Sequence, residues 1–534
     1  MAVAPLTTVP RMAELRDPVT FCDLTLTALR RHAQREAFRQ DGKSLTCAEV
    51  EEQISRMVAL LGDRGFARGQ GVGVLSPNRP EVFVVQTAPL FAGGRYTALH
   101  PLGSIEDHRY AVDEAELRYL FVDPAYAARG AELLESCAGL EAVFSFGDPA
   151  DASGVENLEP LVTSIEPAQL DFGMRRPDEL AWLLYTGGTT GVPKAAMLSE
   201  RAVAQTVFSV SVGWDLPSER RYLATAPISH AAGMLIVPAL LAGGSVSLMR
   251  GFDPEVWLET VARDQITLSL LVPTMIYAVL DHPSLDAADL SSLQTIMYGA
   301  SPMSPTRLVE GIDRIGPVFA QLYGQTECAG LTTSMARSEH IVDDVARLSS
   351  CGQVMPGVRV RILADDGSEC APGEPGEVCV QGVSVMDGYW KQPELTAETL
   401  IDGWLRTGDI GVWSDDGYLT LVDRKKDMVV SGGFNVFPRE IEDVLTSHPA
   451  VSVAAVIGVP DDKWGEAVTA LIVLRPGATV KADELIALVR DRKGAIYAPK
   501  SVEFLNELPL TAVGKPDKKV LRARYWGDRS RHVN

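Results

Sequence analysis

The sequence predicts an α/β protein in two parts, a large domain of alternating strands and helices and then a small α+β unit. Three observations carry this. Apolar runs of strand length recur at helix-length intervals, no internal repeat or low-complexity stretch accounts for the 534 residues, and the character of the chain changes near residue 423.

Val50, Ile54, Met57 and Leu61 share one face at helical spacing. The apolar run GVGVL at 71–75 follows a Gly-rich turn, as a buried parallel strand would, and Pro80 opens the next helix. Runs at 181–185, 222–226, 266–272 and 294–298 continue the βα rhythm. Near 423, DRKKDMVVSGG sets charges against two glycines, as an exposed hinge would. Beyond it, Pro438 opens a helix with Ile441, Val444 and Leu445 inward. Strands at 451–458 and 467–474 and a helix near 482–492 complete the small unit. In the tail, Lys515, Lys518, Lys519, Arg522 and Arg524 stand against Asp517 alone, and Lys518 and Lys519 are read as solvated.

Composition bounds the function. A chain 46% hydrophobic and 22% charged buries large cores, and a formal charge of −21 repels a polyphosphate backbone, which excludes an extended nucleic-acid surface. Seven cysteines with no C-x-x-C pair support neither a disulfide framework nor a zinc site, and a reducing cytoplasm is the expected compartment. The first residues, MAVAPLTTVPRMAELRDP, lack the pattern of a secretory signal. The charge-free run Leu223 to Met249 is broken by Pro227 and Pro238, so it is read as buried strand and loop, with no transmembrane segment.

Chemistry concentrates in TGGTTGVPK at 186–194, where glycines permit unusual backbone and hydroxyls with N–H groups can ring an anion. It is not a Walker A loop, because Lys194 follows Pro193 and precedes Ala195; GQGVGV at 69–74 lacks the third glycine of a dinucleotide fingerprint. By itself such a loop is equally an ordinary turn.

Together with YGQTE at 323–327, TGD at 407–409, DRKKDMVVSGG at 423–433 and TAVGK at 511–515, in that order, the loop resembles the adenylate-forming superfamily of acyl-CoA synthetases, adenylation domains and luciferases. GASP at 299–302 and GQVMPG at 352–357 add to the resemblance, which spans nearly the whole chain. It implies a large N-terminal domain, 1–424, of two βα sheets plus a distorted β-barrel, and a small mobile domain, 425–534, turning about Lys426.

The resemblance also implies site roles. Thr186, Gly187, Gly188, Thr189, Thr190, Gly191 and Lys194 would hold the ATP phosphates, and Ala300, Gln321, Leu322, Tyr323, Gly324 and Gln325 would line the nucleotide pocket. Thr326 would donate to the α-phosphate and Glu327 would carry Mg²⁺, a hard ion suited to a carboxylate. Asp409 would accept both ribose hydroxyls, with Arg424 beside it. Lys515, on a loop free to swing, would bridge the acid and the α-phosphate, neutralising two anions that must meet. His230 would border an acyl pocket floored by Gly299, Ala300, Gly324, Ala329 and Gly330, while Gly432 and Gly433 would line a CoA tunnel. Gly187 and Ala195 depart from the usual T-S-G-T-T-G-x-P-K-G, and Glu200 stands in Ser199-Glu200-Arg201 where a histidine is usual.

The expected activity is an ATP-dependent acid-CoA ligase acting on an apolar aryl, alicyclic or polycyclic, or fatty acid, with ATP, Mg²⁺ and coenzyme A. The alternatives are an enzyme that loads an acyl carrier protein and a non-catalytic nucleotide-gated binding protein. A monomer or homodimer is expected.

Overall fold

The computed structural model describes residues 19–186, 193–424, 427–431, 434–461, 464–511 and 515–526. Every predicted element up to Pro80 is present. Helix Cys47–Asp63 starts at a Thr46–Glu49 capping box and buries Val50, Ile54, Met57 and Leu61, each burial contributing roughly 1.5–3 kcal/mol. The strand Gly71–Leu75 is buried on both faces and pairs in parallel with Arg95–Leu99 and Leu117–Val122.

Two βα sheets form the large unit. In the first, strands Leu180–Thr186 and Lys194–Ser199 form an antiparallel hairpin on the edge of a parallel set, and the short strand Gly388–Tyr389 pairs on the hairpin's outer side. In the second, Phe319–Tyr323, Thr295–Gly299, Leu268–Leu271 and Arg221–Ala224 run parallel. One continuous core joins both sheets through helices Phe21–Arg31 and Pro80–Phe91. A third, antiparallel sheet is built on Val358–Leu363, Gly376–Gly382 and Trp404–Trp413.

The fourth sheet belongs to the C-terminal unit, where the long pair Val451–Asp461 and Gly465–Leu474 is backed by helices Pro438–Thr446 and Ala482–Lys493 through Ile441, Leu445, Leu485 and Val489. This unit touches the large one through shared carboxylates. Arg307 reaches Asp281 at 2.8 Å and Glu310 at 2.7 Å from the large side, and Arg475 reaches Glu310 at 3.0 Å from the small side. Thr446 donates to Ser304 Oγ at 2.9 Å nearby.

Two expectations need correction. The run 223–249 contains helix Ile236–Leu241 between strands Arg221–Ala224 and Ser245–Leu248, because a buried helix and a buried strand read alike in an apolar run. Lys518 is not solvated. Burial alone would lower its pKa, but Glu442 at 2.7 Å with Asp423 and Asp427 outweighs that and holds it raised. Among the described residues no helix is long and apolar enough to cross a membrane.

Candidate active site

Of the predicted site residues, Gly299 and Ala300, and Gln321 to Gln325, lie at the carboxyl ends of two parallel strands, where α/β sheets open their crevices. Strand Phe319–Tyr323 is buried throughout and delivers Gln321, Leu322 and Tyr323; the chain then turns through the 3₁₀ segment Thr326–Cys328. Its neighbour Thr295–Gly299 ends at Gly299, in register with Leu322, followed by Ala300 in the left-handed region at φ 62°.

The glycines here are demanded by backbone contact. A Cβ at Gly299 would stand 2.1 Å from Leu322 O, and one at Gly324 would stand 2.3 Å from Gly330 O. Ala329 also holds positive φ, and Gly330 lies against Met234.

Two carboxylates organise the crevice. Asp409, on strand Trp404–Trp413, is buried and accepts from Tyr323 Oη at 2.7 Å and Gln325 Nε2 at 2.6 Å. Gln325 also donates to Thr407 O at 2.9 Å, so the YGQTE and TGD segments are tied directly to each other. Burial, and then the Asp409 charge, drive the Tyr323 phenol well above its ordinary pKa, which keeps it a donor. Asp409 pairs in register with Arg424 across the antiparallel strands.

Glu327 is the second carboxylate. Its Oε1 accepts from Tyr389 Oη at 2.9 Å and lies 3.4 Å from Thr186 Oγ1, while its backbone oxygen accepts from Met386 N at 2.8 Å. Thr186 and Lys194 face each other across the mouth of the hairpin, and Lys194 Nζ stands 5.3 Å from the Tyr389 ring centroid. The residues fit Mg²⁺. Among the described residues no cluster of three or more His, Cys, Asp or Glu forms a full cage, and one carboxylate beside a hydroxyl suits an ion that keeps its waters and shares substrate phosphates.

His230 lies at a turn fixed from outside, because Asn78 donates to Ala226 O and accepts from Ile228 N. Ser229 Oγ is 3.0 Å from His230 Nδ1, and the His100 ring meets His230 edge-on at 5.9 Å. Burial, with His100 adding to it, pushes the His230 pKa down to about 4, so the imidazole is neutral at physiological pH.

Lys515 closes a turn in which Thr511 N donates to Lys515 O at 2.6 Å and Lys515 N donates to Thr511 Oγ1 at 3.2 Å. Gly187, Gly188, Thr189, Thr190, Gly191, Lys426, Gly432 and Gly433 lie outside the described residues.

The first part of the chain, residues 26–390, matches the model of the AMP-binding enzyme family, and residues 440–515 match that of the AMP-binding enzyme C-terminal domain. The chain belongs to the AMP-binding enzyme family. Within the adenylate-forming superfamily it falls in the acyl-CoA synthetase branch. This AMP-binding enzyme is 41% identical to a medium/long-chain-fatty-acid–CoA ligase of Mycobacterium tuberculosis, over 97% of the chain and 92% of that protein. It is 37% identical to a feruloyl-CoA synthase of Amycolatopsis, over 92% of the chain and 96% of that protein. Its fold matches the amide bond synthetase McbA from Marinactinospora thermotolerans with TM-score 0.85 and 32% identity, over 94% of the chain and 99% of that one.

Sequence reasoning passed over Tyr389, His100 and Asn78. Each comes to the site only in three dimensions, Tyr389 at Glu327, His100 at His230 and Asn78 at the turn that carries His230. The one local signal was the placement of His100 straight after the buried strand Arg95–Leu99, at a carboxyl edge.

Proposed function

We propose that this AMP-binding enzyme is an acid-CoA ligase that converts a carboxylic acid and ATP into acyl-AMP and pyrophosphate, then uses the CoA thiol to form acyl-CoA and AMP. The observation that carries the reading is the joining of Glu327, Thr186 and Lys194 at one hairpin mouth, beside Asp409 held by Tyr323 and Gln325. In this scheme Glu327 would hold Mg²⁺, which would supply positive charge at the phosphates. Thr326 and the 186–194 loop bind the phosphates, Asp409 and Arg424 the ribose. Lys515 arrives from a domain spanning 425–534 that turns about Lys426, and it balances the charge that grows in the transition state. Neutral His230 borders the acyl group, and Gly432 and Gly433 leave room for the thiol.

An apolar acid, fatty or aryl, fits both the neutral imidazole and the names of the fatty-acid and feruloyl relatives. Acid-dependent exchange of labelled pyrophosphate into ATP over a panel of such acids tests the first step. AMP release on adding free CoA tests the second. Exchange with no acid sinks the proposal, and release only with a loaded carrier protein moves the thiol acceptor away from CoA.

A further inference from the structure

We infer that Tyr389 is a positioning residue that sets the separation between the Glu327 carboxylate and the Lys194 ammonium. The inference rests on the adenylate-forming reading above and adds to it a residue from a distant segment of the chain.

Strand Gly388–Tyr389 pairs antiparallel with Lys194–Ser199, with Tyr389 opposite Ala196. Lys194, two residues before Ala196, projects to the same face as Ala196, so it is the diagonal neighbour of Tyr389 and its ammonium stands over the ring. The phenol oxygen of that same ring donates to Glu327 Oε1 at 2.9 Å. Thus one rigid, buried side chain touches both an acidic and a basic member of the site. With Oε1 committed to Tyr389, and Thr186 alongside, the carboxylate cannot rotate freely and presents its second oxygen in a fixed direction. The same ring keeps the ammonium from collapsing onto Glu327, a neutralising contact that would remove both charges from the phosphates.

Tyr389→Phe isolates the hydrogen bond because it keeps the ring, its packing and the cation contact. The full chain is assayed by pyrophosphate exchange against Mg²⁺, ATP and acid concentration. Mn²⁺ binding in the presence of a non-hydrolysable ATP analogue is followed by electron paramagnetic resonance. Loss of a hydrogen bond to a charged group predicts a rise of about tenfold in the Mg²⁺ half-saturation and in the Mn²⁺ dissociation constant. The KM for the acid and the melting temperature stay near those of the wild type. Tyr389→Leu, which also removes the ring, further raises the KM for ATP. A Phe variant that matches the wild type in metal affinity overturns the inference, as does one that loses only thermal stability. If the Leu variant fails to fold, the Phe variant still decides. Wild-type protein that exchanges pyrophosphate with no acid defeats the proposed reaction, whereas the Mn²⁺ measurement reads Tyr389 independently.

Discussion

Glu200 lies wholly inside the protein with its carboxylate 3.2 Å from the Arg175 guanidinium. The same carboxylate accepts from Cys22 N at 3.2 Å, and Arg175 also meets Glu179 at 2.8 Å. This pairing accounts for the residue that departs from the usual histidine. A buried carboxylate at the start of helix Glu200–Gly213 is tolerated because a buried arginine stands ready for it.

Removing Glu200 leaves Arg175 still paired with Glu179, whereas removing Arg175 strips the buried Glu200 carboxylate of its cation. Arg175→Met is therefore expected to cost about 3 kcal/mol or more of unfolding free energy, read by urea denaturation. The double variant Arg175→Met with Glu200→Leu should regain much of the loss. A single variant within about 1 kcal/mol of wild type would contradict this account.

Gly324→Ala places a methyl 2.3 Å from the Gly330 carbonyl oxygen, and neither backbone can yield without moving Gln325 and Glu327. We expect adenylation to fall by on the order of a hundredfold while the protein still folds, since a displacement of about 1 Å is enough for such a loss. Pyrophosphate exchange is the assay, and an unchanged rate would show that the motif relaxes freely.

For Lys515→Ala, a lost preorganised charge worth about 3–4 kcal/mol predicts a drop of roughly two to three orders of magnitude in acyl-AMP formation. Thioester formation from supplied acyl-AMP should survive. Equal loss in both steps would remove Lys515 from the assigned role.

His340 is held between Tyr298 Oη at 3.0 Å and Ala336 O at 2.8 Å, and burial pushes its pKa from 6.5 down to about 4. In that window the unfolded chain binds more protons than the folded one, so stability falls as pH falls from about 6.5 toward about 4. His340→Gln should flatten part of that slope, by on the order of 2 kcal/mol across the window, in thermal melts at a series of pH values. A slope unaltered by the substitution would rule His340 out as the cause.

Local spacing made much of this legible. Helix Cys47–Asp63, strand Gly71–Leu75 and the elements from Pro438 to Lys493 follow periodicities that depend only on neighbours in the chain. The YGQTE and TGD segments were legible because their spacing is itself the signal. Three features were not. Tyr389 meets Glu327 across 62 residues, Cys22 meets Glu200 across 178, and Lys518 finds Glu442 only once the small unit has folded. A charge read in isolation defaults to solvent, and only tertiary packing reveals the partner that makes burial affordable.

Arg475 and Arg307 grip the same acidic pair, Asp281 and Glu310, from opposite lobes. Any turn of the C-terminal lobe that carries Arg475 away must strip one guanidinium from this shared clasp while Arg307 stays to neutralise what is left. The clasp therefore opens without stranding an anion. Because Arg475 is partly wetted, added salt should weaken its hold on this acidic pair, so a C-terminal lobe that turns as proposed would be released more readily at high ionic strength.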